Sequence, residues 1–233
     1  MIIQKQPKIL YLSDSHNPDF EEKRKLIDIV CIGDSITGWN NARFERLGIS
    51  GTSETIYSTY PQFLQDLEKR FAVVDCGIAG AYSRYGWDYL INAMKKFQNA
   101  KYFVIGYGTN DLGERFRIAQ LEQASKHIIG SIDKMTNELL KQSKQPILIN
   151  IPNLNELELS EEIIEISRRQ RDYHNKKLKQ YCDEQNIPLA DICSVLKDEH
   201  FADALHPNEA GARLIAREVY ELIKSKKQCA THT

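Results

Sequence analysis

Short β-branched apolar runs alternate along this chain with longer stretches in which apolar residues recur every three to four positions. The runs are 27–32 (IDIVCI, ending at Gly33), 72–76 (AVVDC, ending at Gly77), 102–106 (YFVIG) and 146–151 (PILINI, ending at Pro152). A weaker fifth lies at 187–192 (IPLADI). Continuous apolar runs of this length suit parallel strands buried on both faces. The intervening periodicity predicts helices over 60–70, 85–97, 118–143, 160–184 and 207–224. The third of these carries Ile128, Ile132, Met135 and Leu139 on one face. Ser160 suits a helix cap, with Glu161 and Glu162 favourable in the first turn, and Pro207 suits the first turn of the last helix. Regular alternation of strands and helices predicts one parallel sheet with helices on both faces.

Two stretches fall outside that pattern. Residues 8–12 (KILYL) offer an extra N-terminal strand, followed by a polar segment to 25. Residues 40–59 form a long polar stretch rich in Ser, Thr and Gly, and a loop of that length in a compact domain is often functional. The expected organisation is an N-terminal extension over 1–25, one α/β domain over 26–224 and a disordered tail over 225–233.

Composition narrows the function classes. Hydrophobic residues make up 42% of the 233 positions and charged residues 27%, as in ordinary globular proteins. The formal net charge is −1, so no global field favours nucleic acid or an anionic membrane. No apolar run approaches the ~20 residues of a membrane span, and the first residues lack the apolar core of a signal peptide. With the chain taken to begin at Met1, the expected location is the cytoplasm, without stable membrane insertion and without a nucleic-acid partner. Nothing in the pattern specifies an oligomeric state. The five cysteines form no C-x-x-C pair, and Cys31, Cys76 and Cys193 lie in or beside apolar runs. They read as small buried hydrophobes in a reducing compartment.

The candidate chemistry sits where strands end. Gly33-Asp34-Ser35-Ile36 follows the first run, at the carboxyl end of a strand, where open α/β sheets bind ligands. Taken alone it is a weak signal that also reads as a simple strand-ending turn. A serine hydroxyl needs a neutral imidazole to take its proton, and that imidazole needs a carboxylate to fix its tautomer. Asp203-Ala-Leu-His206 supplies such a pair if the segment turns locally. Gly108-Thr109-Asn110-Asp111 follows the third run, and the Asn110 amide could donate to an oxyanion. Gly77-Ile-Ala-Gly80 follows the second, where glycine lets backbone N–H groups approach a substrate. Trp39, Tyr82, Tyr85 and Trp87 lie beside these segments and either line a site or pack. Asp34 and Asp111 are expected to brace loops through hydrogen bonds. His200 and the Ser13–His16 stretch lack matching partners and read as structural or surface groups.

IGDSITG, GIAG, GTND and DALHPN occur in the order of the conserved blocks of the SGNH (GDSL-type) hydrolases, which the chain resembles from Ile32 to Asn208. Asp75, where many members have Asn, and Ala204, in place of a common Gly, are the departures. The resemblance implies a three-layer α/β/α, flavodoxin-like fold with a five-stranded, mainly parallel sheet. It implies a serine esterase or lipase acting on a small-molecule acyl ester or an acetylated sugar, with neither metal nor cofactor. Ser35 would be the nucleophile, His206 its base and Asp203 the orienter of His206. The oxyanion hole would comprise the Ser35 and Gly80 N–H groups and the Asn110 amide. Trp39 and Tyr82 are substrate-binding candidates. A carbohydrate O-deacetylase or acyltransferase of the same family, and a non-catalytic binding module on the same fold, are the rival readings.

Overall fold

The computed structural model describes residues 10–11, 19–38, 59–67, 71–113 and 120–230. Six strands form one parallel sheet: β1 (Leu10–Tyr11), β2 (Ile29–Gly33), β3 (Val73–Asp75), β4 (Tyr102–Gly106), β5 (Gln145–Ile149) and β6 (Leu189–Ala190). Their spatial order is β1-β3-β2-β4-β5-β6. The five expected strands are all present, and the extra strand from the N-terminal stretch pairs with β3 at the edge, Leu10 opposite Val74. The order reverses at β2, whose neighbours are β3 on one side and β4 on the other, which is the topological switch of flavodoxin-like sheets.

Eight α-helices accompany the strands among the described residues: α1 (Phe20–Lys23), α2 (Tyr60–Leu67), α3 (Gly86–Lys96), α4 (Thr109–Gly113), α5 (Leu121–Lys141), α6 (Glu161–Gln185), α7 (Ile192–Val195) and α8 (Glu209–Ala230). Alternation within each strand builds the layers. Val30, Ile32, Val74, Phe103, Ile105 and Leu148 face α3, α5 and α6. Ile29, Cys31, Val73, Tyr102, Val104, Ile147 and Ile149 face α2, α7 and α8. The central strand β2 is therefore buried on both faces over its whole length, and each buried Val, Ile or Phe side chain contributes about 1.5–3 kcal/mol relative to exposure. None of the helices in the described residues is long and apolar enough to cross a membrane.

Several local expectations are corrected. Pro207 does not open the last helix. It pairs with Phe201 in an isolated antiparallel bridge, and Asn208 caps the helix instead, its Oδ1 accepting from Gly211 N–H at 3.1 Å. An Asn cap satisfies an orphan amide of the first turn, which Pro207 cannot do. Ser160 stands at the N-cap of α6 but makes no side-chain capping bond. Helix α8 runs on to Ala230, into the stretch expected to be a disordered tail; Ser225-Lys-Lys-Gln contains good helix formers, which continue a helix already nucleated by packing. Cys31, Cys76 and Cys182 are buried, whereas Cys193 is half-buried. All four are free thiols, and burial pushes the Cys182 thiol up to about 12.

Candidate active site

Parallel pairing puts the carboxyl ends of β3, β2 and β4 side by side, so the three loops that follow them share one edge of the sheet. Ser35 sits on the central loop. Gly80 and Asn110 sit on the loops to either side.

The Ser35 loop is a single tight turn capped by its own first residue. The Asp34 carbonyl accepts from Thr37 N–H at 3.1 Å and Gly38 N–H at 3.0 Å, while Asp34 Oδ1 accepts from Ile36 N–H at 3.0 Å. Ser35, at the first position of this turn, keeps a backbone N–H with no acceptor among the described residues. Gly77 lies against this turn so closely that a Cβ there would overlap the Gly38 backbone. The next turn closes by Ala81 N–H donating to Ile78 O at 3.0 Å. Gly80, its third residue, has φ +75°, the positive value that a type II turn requires at that position and that side-chain-bearing residues adopt at a cost. A Cβ on Gly80 would meet nothing within 4 Å, so a substitution there acts through strain rather than collision.

Asn110 lies in the first turn of α4, and its Nδ2 donates to Ala81 O at 3.0 Å, tying the two outer loops together. Asp111 reinforces that tie: its two oxygens accept from Ser83 N–H at 2.9 Å and Ser83 Oγ–H at 2.8 Å. Both Asp34 and Asp111 thus brace loops by hydrogen bonds.

His206 arrives from the far end of the chain. The 201–207 loop is closed by the Phe201–Pro207 bridge and by Ala202 N–H donating to His206 O at 2.8 Å, and it is tied to the β5 loop by Asn155 N–H donating to Ala204 O at 3.0 Å. Within it, Asp203 Oδ1 accepts from the Leu205 N–H at 2.8 Å and the His206 N–H at 2.6 Å. Asp203 Oδ2 lies 2.8 Å from His206 Nδ1, and His206 Nε2 lies 3.0 Å from Ser35 Oγ. Partial burial opposes ionisation of Asp203, but hydrogen bonds from the His206 backbone and ring and from Leu205 N–H outweigh it and lower its pKa. An ionised Asp203 only accepts, so the Nδ1 position carries the proton and Nε2 presents its lone pair to the Ser35 hydroxyl. That arrangement can draw a proton from Ser35.

Two buried carboxyls flank this chain. Burial raises Asp34 to about 7, opposed by hydrogen bonds from the Ile36 backbone and Thr109. Burial raises Asp75 to about 8, opposed by hydrogen bonds from Gly77 N–H and Thr59. Their ordinary value is 3.8, so above that pH the folded state retains protons that the unfolded chain has released. Stability therefore falls as pH rises from about 4 towards 8. Asp75→Asn keeps an acceptor for Gly77 N–H and offers Thr59 Oγ a donor. It is expected to flatten the decline in Tm between about pH 5 and 8, measured by thermal melts; parallel curves for variant and wild type would refute this.

The remaining candidates divide. Tyr82 is half-buried with the Arg84 guanidinium 4.3 Å from its ring centroid, so a cation already covers one face. Trp87 is covered likewise by Lys134 at 4.0 Å. Trp39, the Ser13–His16 stretch and all of the 40–59 segment except Thr59 lie outside the described residues. His200 accepts from Lys197 N–H at 3.0 Å and is structural. His174 escaped the sequence reading: it is fully buried in α6, 2.9 Å from Ser125 Oγ, and burial lowers it to about 4. Its signal was the spacing of Gln170, His174, Leu178 and Cys182, all buried four residues apart, of which two look polar. Among the described residues no group of three or more His, Cys, Asp or Glu side chains could hold a metal ion.

A model of the GDSL-like lipase/acylhydrolase family matches residues 31–214. A comparison with curated proteins gave no match. Among solved structures the chain is similar to a GDSL-like lipase from Bacteroides thetaiotaomicron, at 19% identity over 88% of this chain and 90% of that one, with a TM-score of 0.58. It is similar to a carbohydrate acetylesterase family member from Sinorhizobium meliloti, at 17% identity over 85% and 98%, TM-score 0.62. It is also similar to an acetylxylan esterase from Geobacillus stearothermophilus, at 23% identity over 84% and 95%, TM-score 0.58. At these identities the likeness is one of fold.

Proposed function

The chain belongs to the GDSL-like lipase/acylhydrolase family and is an ester hydrolase, and from that premise we propose that it cleaves carboxylic esters through an acyl-enzyme on Ser35. The observation that carries this reading is the unbroken chain from Ser35 Oγ through His206 to Asp203, with links of 3.0 and 2.8 Å. His206 takes the hydroxyl proton as Ser35 Oγ bonds to the ester carbonyl carbon. The tetrahedral oxyanion is held by the N–H groups of Ser35 and Gly80 and by the Asn110 amide. His206 then gives its proton to the departing alcohol as the C–O bond breaks. Water, deprotonated by the same imidazole, releases the acid and restores Ser35. Asp203 holds the ring and balances its charge throughout.

Acetyl esters of sugars are the substrate class that the acetylxylan esterase and carbohydrate acetylesterase among the similar structures favour. An assay across p-nitrophenyl acyl chain lengths, run beside acetylated sugars, separates this reading from that of a general esterase. A fluorophosphonate probe tests the nucleophile: mass spectrometry is expected to find the adduct on the peptide bearing Ser35. An adduct on any other residue, or none in a protein that cleaves esters, overturns the assignment.

Asn110→Ala tests the oxyanion hole. It deletes a donor whose contact strengthens in the transition state, so kcat is expected to fall by about 10²–10³, or ~2.7–4 kcal/mol, with KM little changed. A raised KM with unchanged kcat, measured under steady-state conditions, would reduce Asn110 to a ground-state contact.

A further inference from the structure

The loop that carries Asn110 begins at a glycine held on two sides. Gly108 has φ +128°, a conformation that residues with side chains rarely adopt. A Cβ on it would come 2.9 Å from Ile151 Cδ1 and 3.5 Å from His174 Nε2. The backbone there is thus seated between an isoleucine and an imidazole. Helix α6 sets both walls of that seat. His174 belongs to it, and so does Asn175, whose Oδ1 accepts from Ile151 N–H at 3.0 Å while its Nδ2 donates to Ile151 O at 2.8 Å. The seat is also connected to Asn110. The Gly108 carbonyl accepts from Leu112 N–H at 3.0 Å, which closes the first turn of α4, and Asn110 is the second residue of that helix.

Packing alone does not call for a histidine at this place. Leu178, one turn further along α6, is equally buried, and an aliphatic side chain at 174 would leave no polar atom without a partner. His174 is 0% exposed, and its Nε2 has no hydrogen-bond partner among the described residues. A buried ring nitrogen left unpaired is destabilising, so its presence asks for a reason. What the imidazole has and leucine lacks is a fixed plane. Its Nδ1 lies 2.9 Å from Ser125 Oγ on α5, and that bond stops the ring from turning. Burial disfavours the imidazolium, so the ring brings no charge to the loop at neutral pH. The edge that faces Gly108 is therefore rigid and uncharged.

We propose that His174 is a positioning residue for the ester reaction: clamped by Ser125, its ring fixes Gly108 and, through Gly108, the placement of the Asn110 side-chain amide. It acts through Asn110 and does not touch the reacting atoms. The inference rests on the reading of Asn110 as an oxyanion donor. An amide displaced by a fraction of an ångström leaves ester binding intact but meets the developing oxyanion less well. The loss therefore falls on kcat.

Two readouts on the full chain test this, one kinetic and one spectroscopic. With p-nitrophenyl acetate, His174→Leu is expected to lower kcat by about tenfold to a hundredfold, with KM little changed. Placed on Asn110→Ala, it is expected to lower kcat by less than about twofold further, because the amide it positions is already gone. Ser125→Ala frees the ring but keeps its contact with Gly108. It is expected to give a smaller loss with the same dependence on Asn110, and it carries the test should His174→Leu fail to fold by circular dichroism. In protein carrying isotope-labelled asparagine, the side-chain amide resonances of Asn110 are identified by their disappearance in Asn110→Ala. They are expected to shift in both folded variants, while those of Asn99, whose amide donates to Lys25 O, stay in place. Losses that multiply independently in the double variant, or Asn110 resonances unmoved in folded Ser125→Ala and His174→Leu, overturn the proposal. Wild-type kcat in Asn110→Ala would instead remove the oxyanion role from Asn110, and the resonances alone would then decide whether His174 places that amide.

Discussion

Ser35→Ala is expected to abolish acyl-enzyme formation, lowering kcat on the order of 10⁴–10⁶ while the protein stays folded. The side chain is buried at 7% exposure, and its hydroxyl meets His206 Nε2. Alanine removes one oxygen and leaves the Asp34 turn intact, because that turn is held by the Asp34 carbonyl and carboxyl rather than by the Ser35 side chain. Circular dichroism and thermal melts should match the wild type. The residual rate measures what the oxyanion donors alone do for attack by water. A folded Ser35→Ala protein with wild-type turnover on every responsive ester would sink the nucleophile assignment.

Asp203→Asn is expected to approach a 10⁴-fold loss, close to the effect of losing the base itself. The carboxylate has two separate duties. Its Oδ1 holds the backbone amides of Leu205 and His206, and Asn Oδ1 can do the same, so the loop keeps its shape. Its Oδ2 faces His206 Nδ1, where asparagine places an NH₂ group. A donor there demands a lone pair on Nδ1, which moves the ring proton to Nε2 and turns it against the Ser35 hydroxyl. The variant should therefore fold, bind substrate and fail to acylate in single-turnover experiments. Near-normal acylation would show that the tautomer is fixed by something other than Asp203.

Much of this architecture was legible because burial on both faces leaves a strong mark. Ile29–Gly33 and Tyr102–Gly106 are unbroken apolar runs, and both formed strands. The three loops at the sheet edge were legible for the same reason, since each begins where a run stops. Strand β6 was weaker because only Leu189 and Ala190 pair. Misplacing Pro207 had a physical cause: proline tolerates both a first helical turn and a bridge position, and only the capping geometry of Asn208 decides between them. The pairing of Ser125 with His174, and the raised carboxyls of Asp34 and Asp75, depend on burial by elements distant in sequence. Local pattern does not carry that information. The same holds for Tyr82 and Trp87, which the sequence left as either lining a site or packing and each of which has one ring face covered by a cation in the fold.

The hydrogen bond between Ser35 and His206 joins residues 171 positions apart. The loops carrying Ser35, Gly80 and Asn110 have all been synthesised by residue 113, whereas the imidazole enters only with the chain's last quarter. A contact of that span is late to form, since it requires the β5 and β6 pairings and the docking of α8 first. A growing chain thus holds the Ser35 hydroxyl for much of its synthesis without the imidazole that meets it in the folded protein. Refolding followed by recovery of ester turnover should consequently lag behind recovery of helical signal, which makes the rate of reactivation a direct clock for closure of the C-terminal third.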